Sequence, residues 1–117
     1  MSEHEHDHDW IEEFPGAVTV CDEAGVIVAM NDKAVSTFAD DGGAALLGKS
    51  VMDCHAERSK TIIKEIMASG RPNIYTIEKK GKKKLIYQTS WTKNGAFAGV
   101  VELSLEIPFE MPHFIRN

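Results

Sequence analysis

Two adjacent side chains carry the most versatile chemistry in this chain, the thiol of Cys54 and the imidazole of His55. They lie within Gly48-Lys49-Ser50-Val51-Met52-Asp53-Cys54-His55-Ala56-Glu57-Arg58-Ser59. Both groups bind metals, and a thiol reacts once it ionises. The stretch enters a helix-like run that ends at Gly70, so the thiol stands near a helix N-terminus, where the dipole favours the thiolate. Cys54 reads as a redox-sensing thiol or as a small buried apolar residue. His55 reads as an axial ligand to a haem iron, or as a helix-entry histidine bonded to backbone or facing solvent. There is no c-type attachment motif, so any haem here is non-covalent.

The composition narrows the setting. At 117 residues and 43% hydrophobic, the chain makes one domain with a small core. A net charge of -5 argues against a general nucleic-acid binder, which would show a basic face. No apolar run reaches the roughly 20 residues of a membrane span, and the acidic N-terminus is not a secretory signal. The two cysteines, Cys21 and Cys54, make no disulfide framework. The expectation is reduced thiols in a cytoplasmic protein. No Ser-His-Asp set, paired carboxylates or phosphate loop argues for an enzyme.

The elements that must position the pair follow from pattern. Residues 1–9 alternate acid and histidine and bury nothing; they read as a solvated tail, with weak transition-metal binding as the alternative. Trp10, Ile11 and Phe14 follow at helical spacing before Pro15-Gly16. They form a short amphipathic segment that docks on the domain or on a second copy. Residues 1–13 are thus a tail and short helix, 14–108 the folded domain, and 109–117 a C-terminal tail.

Ala17 to Cys21 and Val26 to Met30 form a hairpin around Asp22-Glu23-Ala24-Gly25. Asn31 caps a helix carrying Ala34, Val35 and Phe38, which Asp40-Asp41-Gly42-Gly43 breaks. From about Glu57 to Ser69 a helix presents Ile62, Ile63, Ile66 and Met67 on one face. Strands at Ile74 to Glu78 and Leu85 to Thr92 flank a basic tip, Lys79 to Lys84, which reads as solvated because it lacks an aromatic platform. Asn94-Gly95 turns into a last strand with Phe97, Gly99, Val101, Leu103, Leu105 and Ile107 on one face. Glu102, Ser104 and Glu106 lie on its other face. Three consecutive strands after the helices predict an α+β fold with an antiparallel sheet and helices on one face.

That order resembles the PAS domain. The resemblance is carried by Val20-Cys21-Asp22-Glu23-Ala24-Gly25-Val26-Ile27, by Asn31 after the second strand, and by Leu47-Gly48-Lys49 before the central helices. Asn94-Gly95 through Gly99-Val100 completes it, so the match spans about Phe14 to Ile107. Cys54-His55 with Ser59 is similar to a bacterial subgroup bearing a Cys-His-Pro motif, although Ala56 stands where the proline would be. The resemblance implies a PAS-like five-stranded antiparallel sheet flanked by helices, with a pocket between them. It also implies sensing of a ligand or redox state, or dimerisation in signalling, without catalysis. Haem-binding PAS domains draw an axial histidine from the central helices, which points to His55. The flavin photosensor run Asn-Cys-Arg-Phe-Leu-Gln is absent. Met30 and Ala34 stand where photoactive yellow protein needs a tyrosine and a glutamate.

Candidates for the pocket lining are Met30, Val51, Cys54, His55, Ile63, Met67, Tyr87, Trp91, Phe97 and Val101, with plain core packing as the alternative. Trp10, Ile11 and Phe14 are candidates for a homodimer contact. Three functional readings stand. The chain is a sensory module with a small ligand or cofactor, haem among the possibilities, reporting to a partner or output domain. Alternatively it is a ligand-free homodimerisation module, or a redox sensor acting through Cys54.

Overall fold

The computed structural model describes residues 9–51 and 57–117. A single helical turn, α1 (Asp9–Glu12), precedes β1 (Ala17–Asp22) and β2 (Ile27–Met30). Next come α2 (Asp32–Thr37) and two short 3-10 turns, Ala39–Asp41 and Gly43–Leu46. The chain ends with α3 (Glu57–Ser69), β3 (Asn73–Lys79), β4 (Lys82–Lys93) and β5 (Ala96–Ile107). The strands form one antiparallel sheet in the order β2-β1-β5-β4-β3. This is the PAS-like α+β architecture that the strand order predicts.

Turn chemistry sets the long hairpins. Asn94 and Gly95 both have positive φ, 53° and 81°, which is the twist that joins two strands through a two-residue loop. Lys80 and Gly81 repeat this at 55° and 77°. The six-residue basic tip expected from the sequence is therefore a two-residue turn, with β3 reaching Lys79 and β4 starting at Lys82.

Asn31 is buried and ties three elements together. Its Oδ1 accepts from the amides of Val18 (2.9 Å) and Ala34 (3.0 Å), which caps α2. Its Nδ2 donates to the carbonyls of Ile11 (2.9 Å) and Gly16 (2.8 Å), which holds α1 against β1. At the other end of the fold, α3 stops where Gly70, at φ 73°, donates its amide to the Ile66 carbonyl.

The core lies between the helices and one face of the sheet. Cys21, Ile27 and Val100 on strands meet Leu46, Val51, Ile63 and Ile66, all buried. Met30, Phe38, Ile62 and Met67 pack around them. The edge of β2 is covered by the chain itself. Gly48 donates to the Ile27 carbonyl, Ile27 to Lys49, and Val51 to Gly25. That pairing satisfies an otherwise open sheet edge and delivers Val51 to the core.

Candidate functional site

Cross-strand register decides what faces the helices. Cys21 pairs with Val100, and Thr19 pairs with Glu102, which in turn pairs with Gln88. Directly opposed residues share a face. That face forms the floor of a cavity of about 100 Å³. Ile27, Met30, Phe38, Leu46, Val51 and Ile63 make its walls, and Asp41 adds a carboxylate. The lining is apolar apart from Thr19, Asp41, Gln88 and Glu102.

The polar floor is ordered as a relay. Asn73 Nδ2 donates to Gln88 Oε1 at 2.9 Å, and Gln88 Nε2 donates to Glu102 Oε2 at 2.6 Å. Gln88 is 8% exposed, so both ends of its amide are satisfied within the protein. The charge of Glu102 is felt at Tyr75, whose phenol is pushed above its usual range first by burial and then by this carboxylate. Burial likewise pushes the Cys21 thiol up, and Asp22 adds to the effect against opposing backbone hydrogen bonds. Cys21 is therefore a protonated, inert wall of the cavity at neutral pH.

The sequence-derived candidates divide sharply. Met30, Val51 and Ile63 line the cavity, while Met67 packs against the core cluster without reaching the lining. Tyr87, Trp91 and Val101 do not line it, a correction to the sequence reading. They alternate with Gln88, Ser90 and Val100 and so project from the opposite face of the sheet. Phe97 is also off the lining. Ala98 is left unpaired between Gly99 and Phe97, which breaks the alternation and leaves Phe97 36% exposed at the hairpin end. Cys54 and His55 lie outside the described residues, as does the acidic and histidine-rich run before Asp9.

Sequence reasoning missed Thr19, Cys21, Gln88 and Glu102. Polar residues alternating with a Val and Leu row read as a solvent face, yet here they face the helices. The signal that could have found them is cross-strand pairing, which places Thr19, Glu102 and Gln88 in one row.

The opposite face carries the stronger apolar row. Val18, Leu103 and Tyr87 stand side by side, with Val20, Val101 and Leu105 beside them. All six are only half-buried. Trp10 is 66% exposed and meets Phe14 edge-on, with centroids 6.2 Å apart. Phe14 and Leu105 close over Gly16, where a Cβ would overlap both. Ile11 is half-buried and is held through its carbonyl by Asn31.

A haem does not fit the described walls. Pockets for drug-sized molecules run from about 300 to 1,000 Å³, well above the about 100 Å³ found here. The carboxylates of Asp41 and Glu102 would also repel porphyrin propionates. Among the described residues no group of three metal-binding side chains comes together. Among them too, no helix is long and apolar enough to cross a membrane.

A sheet ordered 2-1-5-4-3 with helices and a cavity on one face defines the PAS fold, and solved structures agree. A C-terminal domain from Streptococcus mutans superposes with a TM-score of 0.71 at 18% identity, covering 88% of this chain and 84% of that one. The PAS domain of Bordetella pertussis BvgS gives 0.64 at 18% identity, with 91% and 87% covered. The Aer2 receptor of Vibrio cholerae, a dual PAS-haem oxygen sensor, gives 0.59 at 14% identity, with 80% and 95% covered. No protein-family model matches the sequence, and no curated protein matches it significantly.

Proposed function

We propose that this chain is a sensory module that binds a small molecule in the cavity between α3 and the sheet and reports occupancy to a partner. The observation that carries this reading is the cavity itself, an apolar space of about 100 Å³ with an ordered polar relay on its floor. Close-packed cores leave few voids larger than water, and a half-buried carboxylate facing an apolar space has no packing role. The fold is shared with the Aer2 receptor, whose own ligand is haem; the smaller cavity here suits a smaller molecule. A ligand signals by preferring one of two conformations of the flanking segments. The held turn α1, tied through Ile11 and Asn31, is the segment best placed to respond.

The test is a fragment screen followed by amide NMR. Binders should shift Cys21, Ile27, Ile63 and Val100 together. A screen whose binders perturb only surface residues would remove the ligand reading.

A second reading is favoured by the half-exposed apolar row on the opposite face. There the chain is a homodimerisation module, with Val18, Leu103 and Tyr87 at the contact and Trp10 and Phe14 at its margin. Both readings are non-catalytic, and they are compatible, since a ligand on one face of a sheet can bias a contact on the other.

A further inference from the structure

Glu102 is a half-buried carboxylate on the lining of an apolar cavity, and among the described residues only a neutral amide holds it. Gln88 donates to its Oε2, while Oε1 has no hydrogen-bonding partner among the described residues. Among those residues Glu102 also has no cationic partner; Lys82, near the far end of β5, pairs instead with Glu106 at 3.7 Å. The relay is directional. Asn73 fixes the oxygen of the Gln88 amide, so its NH₂ must point at Glu102, which is thereby an acceptor only. Asp41 adds a second carboxylate to the lining, and the described lining contains no Lys, Arg or His. The remaining walls, including Ile27, Met30, Ile63 and Val100, are apolar.

We propose that the cavity selects small cationic amines, with the apolar part of the ligand against these walls and its ammonium group donating to Oε1 of Glu102. This rests on the ligand-binding reading above and adds the class of ligand. A charge held in an apolar site by one neutral partner is poorly compensated, and an ammonium donor supplies both the missing charge and the missing hydrogen bond. Anions meet repulsion from Glu102 and Asp41, so selection works by rejection as well as attraction. The volume limits size. A cavity of about 150 Å³ takes benzene, so about 100 Å³ takes a molecule smaller than benzene. The charge of Glu102 already registers at Tyr75.

The experiment uses the full 117-residue chain and four probes of the same branched shape and size, isopropylamine, 2-propanol, isobutane and acetate, each titrated at neutral pH with amide NMR. Isopropylamine, charged at that pH, should bind tightest and the carboxylate weakest, with shifts at Cys21, Val100 and Glu102. In Glu102→Gln, amine affinity should fall about ten-fold or more while 2-propanol stays within about two-fold. Asp41→Asn, at an exposed position, gives a second variant with a smaller loss in the same direction. Equal binding of the hydrocarbon or the carboxylate, or amine binding unchanged in both variants, overturns amine selection and leaves a ligand cavity standing. Binding by none of the four overturns the proposal, and with the fragment screen also empty the ligand reading falls too.

Discussion

The indole Nε1 of Trp91 donates to the carbonyl of Cys21 at 3.0 Å, joining residues 70 apart in the chain across the face of the sheet opposite the cavity. The bond exists because Gly99 lies between them. A Cβ there would overlap the Cys21 carbonyl and lie 2.8 Å from the indole nitrogen, and Gly99 has φ 150°. Trp91→Phe keeps a ring and loses the donor, so it should cost about 1 kcal/mol in urea unfolding. Gly99→Ala meets main chain rather than a movable side chain and should cost more, about 2 kcal/mol or above. Equal stability of Gly99→Ala and the parent protein would show that the strands separate freely here.

Asn31 uses all its side-chain hydrogen-bonding groups, so truncation leaves several backbone partners unsatisfied at once. Asn31→Ala should cost about 3 kcal/mol or more by chemical denaturation. Asn31→Asp separates the two roles. A carboxylate still accepts from Val18 and Ala34 but cannot donate to Ile11 and Gly16. The expected result is a folded domain with a released α1, seen as faster chymotryptic cleavage after Trp10. Unchanged cleavage would mean that contacts such as Trp10 with Phe14, rather than Asn31, hold the turn.

The element order was legible because its signals are local. Asp22 to Gly25, Asn31, Gly70 and Asn94-Gly95 each act within a few residues, and each ends or starts an element where its chemistry requires. The cavity was not legible for the opposite reason. Whether Glu102 or Leu103 faces the helices depends on which side of the sheet α3 covers, and alternation alone is symmetric between the two. The row Val101, Leu103, Leu105 is the more apolar, and it faces away from the helices. Tyr87, Trp91 and Val101 were misplaced by that single inversion. Met30, Val51 and Ile63 do line the cavity, since they come from β2, the segment that covers its edge, and α3.

Cys21 provides a pH signature. Burial raises its thiol pKa above the ordinary value of 9.0 in the folded chain, so the native state holds the proton more tightly than the unfolded state does. That contribution is complete below the unfolded thiol's pKa. It is lost as pH rises from there through the folded value, because the unfolded chain releases its proton first. Stability should therefore fall with rising pH from about pH 8.5. The fall should be shallower in Cys21→Ala, even though that variant starts less stable from lost packing. Parallel slopes for the two proteins would assign the pH dependence to other groups, Tyr75 among them.

Leu103 tests the outer face. It stands between Val18 and Tyr87 in one cross-strand row, half-buried, with no helix packed over it among the described residues. An arginine there keeps its methylenes on the sheet and its charge in water, so the monomer should lose no more than about 1 kcal/mol. Two copies meeting at this row would instead bury like charges against each other across the two-fold axis. If the second reading holds, sedimentation equilibrium should give a dimer for the parent protein and a monomer for Leu103→Arg. Val28→Arg, at an exposed side chain of β2, should leave the dimer intact. A monomeric parent protein would remove homodimerisation through this face and leave the cavity as the seat of function.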